Sequence, residues 1–173
     1  TVAGDQSRPT ITTDGAGGAI ITWGDDYHTG NSDIHAQRIN ASGEVQWTAS
    51  GVAISTAVNN QIDPAIASDD DGSAIITWHD FRGGTNWDIY AQRINASGEL
   101  QWATDGVAIS TAANNQIVPT ITSDGAGGAI ITWYDYRSSS IDIYAQRILS
   151  NGMLGTIPVP RNLTATPSNG QVF

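Results

Sequence analysis

The chain has 173 residues, 17 of them acidic against 7 Arg and no Lys, giving a formal charge of −10 and a predicted pI near 4.3. Such a surface repels nucleic acid, whose binding depends on neutralising phosphates with Arg and Lys. With no Cys there is no disulfide framework, thiolate nucleophile or Cys-based metal site.

No stretch approaches the roughly 20 apolar residues needed to cross a bilayer, so membrane insertion is not expected. A start at Thr1 without a signal peptide reads as a processed or excised piece. Shifting the chain by 55 residues aligns Gln6, Gln61 and Gln116, then Pro9, Pro64 and Pro119, then Trp23, Trp78 and Trp133. On this register residues 1–7 are the tail of a preceding repeat. Units follow at 8–62, 63–117 and 118–156, the last incomplete, and 157–173 is an extended tail.

Each unit reads as four short strands. The first is PTITSD or an equivalent, and a Gly-rich turn leads into AIITW, a hairpin pattern of β-formers around residues that accept positive φ. Ala19-Ile20-Ile21-Thr22-Trp23 shows no clean polar alternation, which predicts protein on both faces of that strand. A variable Gly/Ser/Asn-rich loop follows, then the third strand, DIHAQRI or DIYAQRI. NASGE turns into a fourth segment carrying QW and GVAIS. β-branched residues and short segments disfavour a helix through AQRIN. In the third unit Gly152-Met153-Leu154-Gly155 stands where Gly98-Glu99-Leu100-Gln101 does, with no counterpart of Trp102 and no GVAIST segment after it. The fold class is therefore all-β, three tandem four-stranded units with the last incomplete.

The run Pro64, Ser68-Asp69, Ile76-Thr77-Trp78-His79-Asp80-Phe81-Arg82, Asp88-Ile89-Tyr90, Gly98 resembles the TolB-type blade of secreted bacterial and archaeal β-propellers, in all three units. The resemblance implies a propeller fold and leaves function open. Two departures stand out: the units are longer through GVAIST, and Tyr27 replaces Arg82 and Arg137. Three blades do not close a ring of four to eight, so the partners expected are further blades of a longer chain or other copies of this one. VPRNLTATPSNGQV also resembles the opening strand of a fibronectin type III domain, which implies a secreted multidomain protein at or outside the cell surface.

Asp25, Asp80 and Asp135 recur after each Trp, and Asp33, Asp88 and Asp142 open each third strand. Acid–base catalysis needs two carboxylates in unlike environments, whereas three equivalent copies imply loop-holding and pairing with Arg82 and Arg137. The turn Asp69-Asp70-Asp71-Gly72 carries hard oxygen donors that could ligate Ca²⁺, against ordinary Asp/Gly turn chemistry. His28, His35 and His79 share no metal spacing and read as incidental surface residues. The repeated Trp read as core, while Trp87, with Asn86 and Tyr90, is the candidate contact with a partner. Asn40, Asn95 and Asn162 stand in N-x-[ST] sequons and are candidate glycosylation sites.

The leading expectation is a non-catalytic extracellular structural or adhesion module. Constant framework would present the variable loops Tyr27–Ser32, Arg82–Trp87 and Arg137–Ile141 to copies of itself, a glycan or a cell-surface protein. The alternative is a carbohydrate-binding or catalytic portion of a secreted polysaccharide-acting enzyme. That alternative predicts an asymmetric cluster of exposed aromatics and carboxylates in one cleft.

Overall fold

The computed structural model describes residues 4–26, 30–69, 71–157 and 171–172. They form three antiparallel sheets of about 55-residue period. Sheet 1 holds β1 (Asp5–Thr13), β2 (Ala19–Asp26), β3 (Asp33–Ile39) and β4 (Val52–Ser55). Sheet 2 holds β5 (Gln61–Ser68), β6 (Ala74–Asp80), β7 (Asp88–Ile94) and β8 (Val107–Ser110). In sheet 3, β9 (Gln116–Ser123), β10 (Ala129–Asp135) and β11 (Asp142–Ile148) are full strands. Two short pieces, β12 (Leu154–Gly155) and β13 (Gln171–Val172), share its outer edge. The all-β, three-unit expectation holds, and the last sheet is the shorter one.

The outer edge of sheet 3 is filled in a way the repeat did not announce. Val107 and Ala108 of β8 pair with Ala91 and Tyr90, and Gln171 and Val172 pair with Ala145 and Tyr144, the same places in the next unit. A segment of the tail thus stands where GVAIS stands in sheets 1 and 2. The fibronectin-like strand expected at the tail otherwise lies outside the described residues, as does the sequon at Asn162.

The sheets stack as propeller-like blades, with β5 in contact with β1 on one side and β9 on the other. Two apolar cores lie between them. The first joins Ile20, Ile34, Ile54 and Trp47 of sheet 1 to Ile76, Trp78 and Ile94 of sheet 2. The second joins Ile75, Ile89 and Ile109 of sheet 2 to Ile131, Trp133 and Ile148 of sheet 3. β6 and β7 contribute to both, and every residue of β6 is buried, as the missing polar alternation of the second strand predicts; in β2 Ile20 and Thr22 are buried while Ala19, Ile21 and Trp23 are only half-buried.

Each first strand carries a bulge at the residue preceding its proline. Arg8, Asp63 and Val118 all have φ between 53° and 54°, the left-handed region, which a β-branched residue such as Val118 rarely enters. The bulge removes the proline, which has no N–H, from the ladder. It also turns the preceding side chain out of the pleat.

Candidate functional site

The framework residues of the repeat are occupied structurally. In sheet 2 the Asp80 carboxylate, fully buried, accepts Trp78 Nε1–H at 2.8 Å, the Arg82 backbone N–H at 2.8 Å and the Arg82 Nε and Nη2 at 2.9 and 2.6 Å. The guanidinium stacks 3.8 Å from the centre of the Tyr90 ring. Trp133, Asp135, Arg137 and Tyr144 repeat this arrangement. Burial pushes the Asp135 carboxyl up, but the donors from Arg137 and Trp133 outweigh it and hold the pKa below the usual value. Sheet 1 has no such arginine, because Tyr27 stands at that position. Trp23 Nε1 and His35 Nδ1 are buried there without hydrogen-bond partners.

The hairpin acids are turn-formers tied to arginines. Asp14 Oδ1 accepts the N–H of Ala16 and Gly18 at 2.8 and 2.7 Å, its Oδ2 takes Arg38, and Asp124 does the same with Arg147. Of the acidic turn singled out for Ca²⁺, Asp69 accepts Arg93 Nη2 at 2.6 Å and Asp71 accepts Ser73 N–H at 3.0 Å, while Asp70 lies outside the described residues. Burial and the neighbouring Asp71 raise the Asp69 carboxyl, and the hydrogen bonds from Asp69 and Ser73 hold Asp71 at about 2. Among the described residues no group of three acidic, His or Cys side chains is arranged to hold a metal.

The sequon residues also close turns. Asn40 Oδ1 accepts the N–H of Ser42 and Glu44, and its Nδ2 donates to Glu44 Oε2 at 2.8 Å. Asn95 makes the same three bonds with Ser97 and Glu99.

The units diverge on one face. That face is built from Ser32, which precedes β3, from the loops after β6 and β10, and from the linkers that enter β5 and β9. The linkers are latched to it: Asn60 Oδ1 accepts Ser32 N–H and Asn115 Oδ1 accepts Trp87 N–H, at 2.9 and 3.1 Å. The pre-proline side chains Arg8 and Asp63, turned out by the bulge, form an ion pair across sheets 1 and 2. Asp63 Oδ2 lies 3.3 Å from His79 Nε2, and His79 Nδ1 accepts the Val118 N–H at 3.1 Å. Accepting a backbone N–H leaves Nδ1 unprotonated, so Nε2 carries the proton facing Asp63. Burial above all, and then Arg8, hold the His79 pKa down to about 4, against the opposing pull of Asp63.

His79 is therefore buried, at 4% exposure, and ties three sheets together. The expectation that it is an incidental surface residue is corrected. Its position holds Gly24 in the first unit and Tyr134 in the third, while the pre-proline position reads Arg8, Asp63, Val118. A variable position inside an otherwise near-identical repeat was the signal available.

Trp87 caps this cluster, its ring 4.7 Å from His79 and 4.9 Å from Phe81. The next residue back, Asn86, lines a groove of about 570 Å³ with Thr85, Asn114, Asn115 and Tyr136. The lining consists of amides and hydroxyls and holds no charge. Asn86 Nδ2 donates to Asp88 at 2.9 Å, and Asn114 Nδ2 donates to the Tyr136 carbonyl at 3.2 Å, which fixes the walls. Of the three contact residues expected from sequence, the structure puts Asn86 in the groove and Trp87 beside it. Tyr90 lies apart, beneath Arg82 and against the first core.

Asp88, beside that wall, has its carboxyl raised to about 6, chiefly by burial and then by Asp80. Asp33 is raised to about 6 by burial and by Asp25. Each holds its proton more tightly folded than unfolded. Its stabilising contribution is therefore complete below the unfolded value of 3.8 and is lost as pH rises through 6. His79, depressed from 6.5 to about 4, has the opposite slope, contributing fully above 6.5 and losing its contribution as pH falls towards 4. Asp88→Asn should hence lose less stability than the parent chain between about pH 4 and pH 7. Urea midpoints at a series of pH values check this, and parallel profiles would contradict it.

No protein-family model and no curated protein sequence matches this chain. Solved structures do. The endo-arabinase of Bacteroides thetaiotaomicron is similar over 94% of this chain and 64% of its own length, with TM-score 0.58 at 15% identity. The chain shares its fold with bacterial glycoside hydrolases. One from Parabacteroides distasonis matches over 87% of this chain and 52% of its own (TM-score 0.52, 12% identity), and one from Bacteroides ovatus over 88% and 51% (TM-score 0.50, 12% identity). The chain thus spans from half to just under two thirds of the length of these proteins.

These likenesses overturn the leading expectation of a non-catalytic structural or adhesion module and favour the alternative. Equivalent copies do lack asymmetry in their framework carboxylates, but at the bulge and in the loops the copies are not equivalent. Arg8, Asp63, His79, Trp87 and the amide-lined groove form an asymmetric set on a single face.

Proposed function

We propose that the chain forms part of a polysaccharide-acting enzyme of the glycoside hydrolase kind and meets its glycan on the face carrying Asp63, Trp87 and the groove. The observation that carries this is the groove's lining. Asn and Tyr side chains that donate and accept without bearing charge suit a neutral polyhydroxylated ligand, and fixed walls reduce the ordering cost of binding. The shared fold with glycoside hydrolases supports the same reading. Asp63, held by Arg8 and His79, and Asp88, with its raised pKa, are the carboxyl groups this face offers for acid–base chemistry.

Affinity electrophoresis through gels containing arabinan, xylan, galactan or β-glucan tests the assignment. One of these should retard the chain, and the combined change Asn86→Ala with Tyr136→Ala should reduce that retardation at least tenfold in apparent Kd, as expected for about 1.4 kcal/mol or more of lost contacts. Equal migration of parent and variant in every gel would refute the assignment of the groove.

A further inference from the structure

Identical residues sit in different surroundings on the three sheets. Trp78 and Trp133 are 0% and 3% exposed, and Ala74, Ile76 and Ile94, like Ala129, Ile131 and Ile148, are fully buried by the sheet before them. Their counterparts on sheet 1, Ala19, Ile21, Trp23 and Ile39, are only half-buried. These side chains lie on one face of β2 and β3, by alternation and by the pairing of Ala19 with Ile39.

The same face lacks a contact that is otherwise repeated. Trp47 of sheet 1 donates its indole N–H to the Ala96 carbonyl of sheet 2 at 3.1 Å and lies on Gly98, where an added Cβ would sit 2.8 Å from the ring. Trp102 of sheet 2 does the same to sheet 3, donating to the Ser150 carbonyl at 3.0 Å and lying on Gly152, with 2.9 Å to an added Cβ. Gly43 holds the corresponding place in the turn of sheet 1, with the same left-handed φ of about 80°, and among the described residues nothing lies within 4 Å of a Cβ added there. The turn has the same sequence as that at Gly98, Asn-Ala-Ser-Gly-Glu. It is a tryptophan seat, complete and unfilled.

We propose that the open face of sheet 1 receives a preceding unit of the same kind, whose tryptophan at the Trp47/Trp102 position seats on Gly43 and donates to the Ala41 carbonyl. The occupant must carry that tryptophan. A second copy docking through sheet 3 does not, because Thr156 occupies the position in the third unit. The seat therefore selects a further unit with the QW segment over head-to-tail pairing of this chain.

The proposal is tested by joining a copy of residues 8–55 to Thr1, which continues the 55-residue register, and following hydroxyl-radical oxidation of Trp23 and Ile21 by mass spectrometry. Trp23 should fall to the low reactivity of Trp78. That protection should be lost when the tryptophan of the added copy is replaced by Ala, or when Gly43→Val fills the seat of the extended chain. Trp23 as reactive as in the 173-residue chain, whether the added copy folds or not, would overturn the proposal, as would protection that survives both substitutions.

Discussion

Trp78→Ala is expected to destabilise the chain by about 3–5 kcal/mol, the range for removing a fully buried aromatic. The side chain is 0% exposed, packs among Ile20, Ile34, Ile76 and Ile94, and supplies one of the four donors to the buried Asp80 carboxylate. Its loss leaves a cavity in the core that joins sheet 1 to sheet 2. Because stacked repeats are stabilised through nearest-neighbour interfaces, sheet 1 should then unfold before sheets 2 and 3, and a single urea transition should split into two. Trp23→Ala, at the half-buried equivalent position, should cost far less. Equal losses at Trp23 and Trp78 would show that the inter-sheet core is not what holds the array.

Asp80→Ala is expected to cost a similar amount, about 3–5 kcal/mol, for an electrostatic reason. It would strand the Arg82 guanidinium, which makes two hydrogen bonds to Asp80, and leave the Arg82 backbone N–H and Trp78 Nε1–H without that acceptor. Arg82 would keep only its bond to the Asp105 carbonyl and its stacking on Tyr90. Removing one partner of a buried pair is worse than removing both, so the double change Asp80→Ala with Arg82→Met should recover part of the loss. Sheet 1 shows how a unit manages without the arginine. There Asp25 is met by Gln6 Nε2 at 3.5 Å and stands 4.0 Å from His35 Nδ1.

Much of this architecture is legible in the sequence. The 55-residue period, the strands of each unit and the double burial of β6 follow from Pro, Gly and β-branched spacing. Position 27 already marks the sheet without its arginine. Other features are not legible because they arise between units. Asp63 and His79 are 16 residues apart and unremarkable singly; they meet Arg8 only because the pre-proline bulge turns side chains out and the first strands converge. The groove likewise joins a loop of sheet 2 to the linker into β9 and to Tyr136 in the loop after β10. The placement of Gln171 and Val172 on the edge of sheet 3, where Val107 and Ala108 stand in sheet 2, is not legible because Gln-Val does not repeat Val-Ala.

The framework and the variable face thus follow different rules. Asp80, Arg82 and Trp78 recur as Asp135, Arg137 and Trp133 because every sheet needs the same closure at the end of its second strand. Arg8, Asp63 and Val118 differ because their side chains leave the sheet and meet a different neighbour in each unit. Repetition is evidence against catalysis only at positions of the first kind.

The most direct measurement is release of reducing ends from a panel of plant and bacterial polysaccharides by the longest native protein that contains these 173 residues, alongside Asp63→Asn and Asp88→Asn variants. The account predicts turnover of at least one neutral polysaccharide, reduced in the variants by a factor of ten or more while Asn86→Ala with Tyr136→Ala raises KM. Absence of turnover and of glycan binding across the panel, with the protein folded, would contradict it.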